Sequence, residues 1–465
     1  MIRNTLWLSM LALLLSGCAM GPKYARPAVE TPSTYREEAV PASTNSLADL
    51  PWWEIYKDET LKGLIETALT NNFDLRVAIS RMEQARAVAN QSRAPLMPAF
   101  GYQYEPSRGR TLTATGMDTV DSASAVLTAA WEVDLWGQLR QLHGSDRAKY
   151  LASEDNRHAV TMTLVGDVAQ AYFELLELDL EMDIARQTTN SFGESLRIFS
   201  ARFAGGVVSE LETSRAEASL AGAASYIPDI ERQIVLKENQ INVLLGLNPG
   251  PVARSSTLLQ QMMPPEVPAG LPSSLLERRP DVRGAEQGVR SANALIGASQ
   301  ASFFPSLKLT AYGGKMSDEL NAFGSDSERT WSVGGSLAGP IFEGGKLVAQ
   351  YDAAKAAWEE AKVTYEQPVV NAFQDVSSAL ISREKMEGVR AEQQRAVDAL
   401  TKAVKVSTER YIAGKADYYE VLEAQQQLFP AQNSLAKTQL NQLLAIVSLY
   451  KALGGGWEMD VPSKP

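Results

Sequence analysis

The chain holds one cysteine, Cys18, and two histidines, His143 and His158, in 465 residues. One thiol closes no internal disulfide, and no cysteine-based zinc site or thiol nucleophile is available beyond it. There is no P-loop, no nucleophile elbow and no metal-spaced histidine pair, so neither a catalytic residue nor a metal site is expected. The two histidines, fifteen positions apart, are expected as solvated helix residues. Beyond residue 18 no run approaches the ~18 to 20 apolar residues of a membrane-spanning helix, so any bilayer crossing must be made by strands. Basic charge is also short: the formal net charge is −11, which argues against nucleic acid or an anionic membrane surface as partner.

What is present begins with an export signal. Arg3 gives a positive start, Leu6 to Leu15 an apolar stretch too short to span, and Leu15-Ser16-Gly17-Cys18 a cleavage site. Residues 1–17 are therefore expected as a signal peptide, whose removal takes only Arg3 and moves the charge from −11 to −12. Leu-Ser-Gly-Cys resembles the lipobox of bacterial lipoproteins, which implies a diacylglycerol on the Cys18 sulfur and an acylated amine. No other cofactor is expected. Ala19, in place of Asp, resembles the sorting pattern for the outer membrane.

Residues 18–58 read as a tether leading into the body, with Pro22, Pro27, Pro32 and Pro41 recurring and no core expected over 19–50. A second Pro-rich stretch, 248–272, divides two segments of similar length, 59–247 and 273–457; residues 458–465 are a tail. The halves repeat. Asn72-Phe73-Asp74-Leu75 falls on Arg279-Pro280-Asp281-Val282 and Pro98 on Pro305 at an offset of 207. Leu135-Trp136-Gly137 falls on Ile341-Phe342-Glu343 at 206, and Arg202 to Gly206 on Arg410 to Gly414 and Leu245-Gly246 on Leu453-Gly454 at 208. A period this long indicates duplication of a whole module rather than a solenoid.

Each module reads as helix, strand, strand, long helix, turn, helix. Leu164, Val168, Ala171, Leu175, Leu178 and Met182 step by four and three, a coiled-coil stripe, and Ala424, Leu428, Ala431 and Leu435 continue the habit. Gly344 to Tyr411 carries one proline, Pro368, and as a helix would be on the order of 100 Å long. Pro368 and Pro430 are expected to interrupt and kink their helices.

Four segments alternate at period two, near 99–105, 125–135, 307–313 and 331–338. Phe100, Tyr102, Tyr104, Leu127, Ala129, Trp131, Val133, Leu135, Leu307, Leu309, Ala311, Trp331, Val333 and Leu337 fall on apolar faces. That is the pattern of transmembrane β-barrel strands. Open edges in lipid cost several kcal/mol per unpaired group and known membrane barrels start at about eight strands, so the chain must oligomerise. The strands by themselves allow a dimer, a trimer or a tetramer.

Trp52-Trp53, Glu277-Arg278-Arg279-Pro280-Asp281-Val282, Phe303-Phe304-Pro305, Gly339-Pro340-Ile341-Phe342-Glu343-Gly344-Gly345 and Ala452-Leu453-Gly454-Gly455-Gly456-Trp457, with the lipobox, resemble the outer membrane factor family of the TolC and OprM type, from Cys18 to Trp457. The resemblance implies an α+β membrane protein, a homotrimeric transmembrane β-barrel with four strands per chain continued by a long periplasmic α-helical coiled-coil barrel. It implies no enzyme but the exit channel of a tripartite pump. The partners would be a periplasmic adaptor and an inner-membrane transporter of the resistance-nodulation-division class. The alternative is the same kind of channel serving a heavy-metal exporter or a type I secretion system.

By the same resemblance two helical hairpin tips form the periplasmic end and dock the adaptor: Gly205, Gly206, Val207 and Ser209 in the first, Gly414, Lys415, Ala416 and Asp417 in the second. Gly414 would end one helix and Asp417 cap the next. The constriction would be lined by Tyr419, Glu420 and Glu423. The two glutamates, three apart, share a helix face, and threefold symmetry would set six carboxylates about one axis, giving a preference for cations.

Overall fold

A computed structural model of the chain describes residues 20–35, 46–114, 116–261, 270, 272–318 and 328–457. Cys18, the signal peptide 1–17 and the tail 458–465 lie outside the described residues. The order is α1 (Trp52–Ile55), α2 (Glu59–Asn71), α3 (Phe73–Arg93), β1 (Ala99–Thr113), β2 (Gly116–Val133), α4 (Gln138–Ala204) and α5 (Glu210–Leu244). The second half follows as α6 (Leu275–Arg278), α7 (Pro280–Ala301), β3 (Ser306–Ser317), β4 (Glu328–Ala338), α8 (Lys346–Ile412) and α9 (Tyr418–Ala452).

The duplication is written in the helix lengths: α4 and α8 each have 67 residues, α5 and α9 each 35. Their ends repeat in detail. Gly206, Gly246, Gly414 and Gly454 all take φ between +68° and +79°, and each closes a Schellman turn. In the first, Gly206 N donates to Phe203 O and Val207 N to Arg202 O; in the last, Gly454 N donates to Lys451 O and Gly455 N to Tyr450 O. The last helix of each repeat is tied back to that repeat's own start. Asn72 Nδ2 donates to Leu244 O at 2.9 Å, and Arg279 Nη1 to Ala452 O at 3.2 Å. One offset needs correcting. Gly137 (φ +81°) and Gly345 (φ +86°) are the left-handed residues just ahead of α4 and α8, so Gly137 corresponds to Gly345, and Glu343-Gly344 are extra residues of the second loop.

The chain falls into two compact units. One, built from residues 1–28, 80–154 and 284–367, contains the sheet. Its order is β1-β2-β3-β4, all antiparallel, and among the described residues β1 and β4 are edges. The register brings the alternating residues of all four strands to one face. Phe100, Ala129, Ala311 and Val333 form one row and Tyr102, Leu127, Gly313 and Trp331 the next; Val133, Leu307 and Leu337 end the face on one side. At the other end Ala125 pairs with Lys315, and Lys315 with Arg329. From Val133 to Ala125 the face runs about 27 Å at ~3.4 Å per residue, near the ~25 Å apolar band of an outer-membrane barrel. The opposite face is polar, with Glu132 and Lys308 paired in register and 3.8 Å apart.

The strands run past their expected limits. Residues 106–112 and 117–124 pair as strand although neither face there is apolar, so the alternation that marks a strand in lipid vanishes while backbone pairing persists. Leu135 lies beyond β2: its N–H donates to Val133 O at 2.8 Å, a tight turn that stops the strand, and Asp134 then accepts from the N–H groups of Leu139 and Arg140.

Residues 20–28 also belong to this unit and are not a bare tether. Met20 N–H donates to Trp136 O, Asn293 Nδ2 to Pro22 O, and Tyr24 Oη to Glu286 at 2.9 Å, while Arg26 pairs with Glu286 at 3.0 Å. Gly21 is required there, since a Cβ would stand 2.5 Å from Gly297 Cα. The expectation of no core over 19–50 is further corrected by Tyr35 and Leu47, both buried.

The second unit, residues 29–79, 155–283 and 368–465, is built on the helices. All six residues of the α4 stripe from Leu164 to Met182 are buried, as are Ala424 and Leu435 of α9. Full burial of each Leu, Val or Met among them is worth ~1.5 to 3 kcal/mol, so the stripe rather than intrinsic propensity holds these helices. Pro368 and Pro430, and also Pro228, lie inside helices that continue through them; the expected interruptions do not occur. The stretch 252–261 is pinned at Asp58, the N-cap of α2. That carboxylate accepts from the Thr60 and Leu61 N–H groups and from Ser255, Ser256, Gln261 and Tyr172. Burial works against its charge, but these donors outweigh it and hold the pKa down to about 2.

Glu177 on α4 is buried. Burial first, then the neighbouring Glu181 and Glu174, lift its pKa well above the carboxylate range, against a smaller pull from Lys437. A carboxyl that keeps its proton when folded but loses it when unfolded stabilises fully below about pH 4.5 and progressively less as pH rises toward its folded pKa. Glu177→Gln is therefore expected to melt at a higher temperature than the native chain at pH 8 and with little difference at pH 4. Identical pH dependence of the two melting curves would dismiss this account.

Candidate hairpin-tip site

Both tips lie in the second unit and are built alike from Schellman turns into capped helices. Gly205, Gly206, Val207 and Ser209 are exposed, and so are Gly414, Lys415 and Asp417, while Ala416 is half-buried. Asp417 is the N-cap of α9, its Oδ1 accepting from Tyr419 N–H at 3.1 Å. Ser209 caps α5 in a box in which Glu212 reaches back to Ser209 N–H at 2.6 Å.

The two caps differ in one residue's use. Glu420 occupies the third helical position, as Glu212 does, but faces Arg410 across the hairpin at 3.7 Å. The Arg410 guanidinium also donates to Lys415 O at 3.4 Å. Glu423 lies one turn on and accepts from Gln427 at 3.3 Å. Both glutamates, with Arg410, Ser407 and Gln427, line one groove of about 340 Å³ between α8 and α9. The structure thus brings Glu420 and Glu423 to one exposed face and adds a cation to it. Tyr419 is 59 % exposed and packs in no core.

Behind the tips lies a cluster that the sequence reading missed. Phe199 packs against Tyr418 with ring centroids 3.9 Å apart and against Tyr411 at 5.2 Å, and Arg202 lies over the Tyr411 ring at 4.3 Å. Phe192, Ala216, Ala223, Val421 and Leu422 complete it. Burial, with Tyr411 beside it, pushes the Tyr418 hydroxyl up to about 12. Gln425 ties α9 to α4 through Ser191 and Ser195 at 2.9 and 3.3 Å. Tyr418 follows Asp417 at the start of α9 and so turns inward where Tyr419 turns out.

Both histidines lie on α4 and are half-buried rather than fully solvated. His143 Nδ1 lies 3.1 Å from Ala89 O. His158 stacks on Trp457 at 4.6 Å with Arg157 donating to its Nε2, and burial, then Arg157 and Arg283, push its pKa down to about 4. Among the described residues no group of histidine, cysteine or carboxylates could hold a metal, and no helix is long and apolar enough to cross a membrane.

Comparison with known proteins agrees with this architecture. The family model described as "Outer membrane efflux protein" matches residues 64–247 and 271–455, the two repeats. The solvent efflux pump outer membrane protein SrpC of Pseudomonas putida is 35 % identical over 458 residues, covering 96 % of this chain and 97 % of that one. Among solved structures, the outer-membrane channel OprN superposes with a TM-score of 0.89 at 28 % identity, over 95 % of this chain and 100 % of that one. The open-state MtrE outer membrane channel of Neisseria gonorrhoeae gives 0.87 at 31 %, over 95 % and 99 %. With a sheet whose one apolar face is as long as a bilayer's apolar band and both repeats matched along nearly their whole length, the chain belongs to the outer membrane efflux protein family.

Proposed function

We propose that three copies close a twelve-stranded barrel in the outer membrane, four strands from each chain, and that this barrel is the passive exit of a tripartite efflux pump. The observation that carries the reading is the sheet: one continuous apolar face, one polar face and, among the described residues, two unpaired edges. In lipid such edges must be paired, and copies of the same chain supply them. The channel does no chemistry; the energy comes from an inner-membrane transporter of the resistance-nodulation-division class, joined through a periplasmic adaptor. The lipid on Cys18 anchors the chain, and the segment from Met20 to Arg26 ties that terminus to the body.

The adaptor docks on the hairpin tips, Gly205 to Ser209 and Gly414 to Asp417, and Tyr419, Glu420 and Glu423 line the constriction. Arg410 neutralises part of Glu420's charge within each chain, so opening need not wait on carboxylate repulsion alone; it separates the groove faces that Arg410 and Glu420 join.

Single-channel recording in planar bilayers tests the reading. The native protein is expected to give a small, cation-selective conductance, and Glu420→Gln with Glu423→Gln to lose that selectivity while still conducting. Folded, oligomeric protein that never passes current would overturn the channel, and unchanged selectivity would remove the two glutamates from its lining.

A further inference from the structure

Two adjacent apolar side chains have no cover among the described residues. Ile341 and Phe342, on the loop from β4 to α8, are 103 % and 86 % exposed, and Met97, just ahead of β1, is 61 % exposed. All three flank the end of the sheet where β1 and β3 start and β2 and β4 finish.

The matching loop of the first repeat is covered. Trp136 stacks on Phe304 with centroids 4.7 Å apart, and its Nε1 donates to Pro305 O at 2.8 Å. Phe304-Pro305 leads into β3, the strand beside β2. An aromatic at the foot of one strand is thus held by the lead-in of the next strand in the sheet. In the second repeat Ile341-Phe342 stands where Leu135-Trp136 stands in the first, and Met97-Pro98 where Phe304-Pro305 does. Among the described residues no strand lies beside β4 on its outer side, since β4 and β1 are both edges.

We infer that Phe342, with Ile341 beside it, packs on Met97-Pro98 of a second copy, the interchain counterpart of Trp136 on Phe304-Pro305. The inference rests on the oligomeric channel reading and says where its copies lock. An antiparallel meander closes by setting β1 of one copy against β4 of another, which brings Met97-Pro98 to the foot of β4. The side-chain alternation allows this join: Trp331, Val333 and Leu337 of β4 share a face with Phe100, Tyr102 and Tyr104 of β1, and a one-residue slip would turn one set to the other side. A thioether against an aromatic ring suits such a contact. Gly344 and Gly345, both left-handed at φ +58° and +86°, turn the chain sharply between Phe342 and α8.

The test is disulfide trapping in outer membranes of cells making the full chain with Met97→Cys and Phe342→Cys together. Mild oxidation is expected to give linked chains on non-reducing gels from the double variant and from neither single one. Amine-directed cross-linking of the native chain reports separately whether it oligomerises. Oligomers without the disulfide would overturn the contact and leave the assembly standing; labelling of Phe342→Cys by a bilayer-soluble maleimide would then assign the side chain to lipid. Absence of oligomers by both routes would overturn the channel reading itself. Phe342→Ala should also lower the temperature at which the oligomer dissociates, and Phe342→Trp, the residue used in the first repeat, should restore it.

Discussion

Val333→Arg is expected to keep the protein out of the outer membrane. Val333 sits in the row Phe100, Ala129, Ala311, Val333, well inside the apolar face, and is 75 % exposed in the single chain. An arginine therefore meets no clash in the chain; whatever it costs comes from the surroundings. At the midplane of a bilayer that cost is ~2 to 4 kcal/mol per site, or about 6 to 12 kcal/mol for three copies in one barrel. Membrane fractionation and heat-modifiable oligomers on gels would show its loss. Ser332→Arg, the neighbouring residue on the polar face, should insert normally. If both variants inserted, or both failed, the apolar face would not be the lipid-facing one.

Arg279→Ala is expected to leave little folded protein. The guanidinium is buried, with 8 % of its side chain exposed. It donates to both oxygens of Asp281 at 3.0 and 2.7 Å, to Asp375 at 2.9 Å and to Ala452 O. Burial opposes its charge, but Asp281 and then Asp375 outweigh this and hold its pKa above the usual arginine value. One side chain thus joins the start of α7, the middle of α8 and the end of α9. Removing one partner of such a buried pair costs ~3 to 5 kcal/mol, toward the lower end because Asp375 is half exposed. Arg279→Lys should recover only part, since an ammonium cannot fork onto Asp281. Thermal melting and protease resistance in detergent measure both; an alanine variant that melts with the native protein would discard the clamp.

Arg279 also shows what a motif in the sequence means physically. Glu277 to Val282 and Ala452 to Trp457 lie far apart in the chain, yet Arg279 binds Ala452 O and Gly454 packs against the backbone of Arg278 and Arg279, where a Cβ would come within 3.2 Å. The first repeat does the same with Asn72 and Leu244 O. The duplication was legible because turns demand glycine wherever φ is positive, and Gly206, Gly246, Gly414 and Gly454 mark the same places in both halves. The tip was legible for the same reason, through Gly414 and the capping Asp417. Its aromatic cluster was not. Phe199, Tyr411 and Tyr418 lie on three helices, and no local spacing says that they converge.

By itself the sequence determined the periods: two repeats, the α4 stripe, and the alternation that makes one face of each strand apolar. It also required more than one copy, because four strands leave two edges that lipid does not satisfy. Those features follow from local rules, side chains alternating on a strand and recurring every three or four residues on a helix. Only the tertiary structure decided how far the strands extend beyond the apolar band, that Met20 to Arg26 is strapped to α7, that Asp58 gathers the stretch between repeats, and that Arg410 answers Glu420. Each of those depends on polar groups distant in sequence meeting at hydrogen-bond range, and such a meeting leaves no period in the sequence.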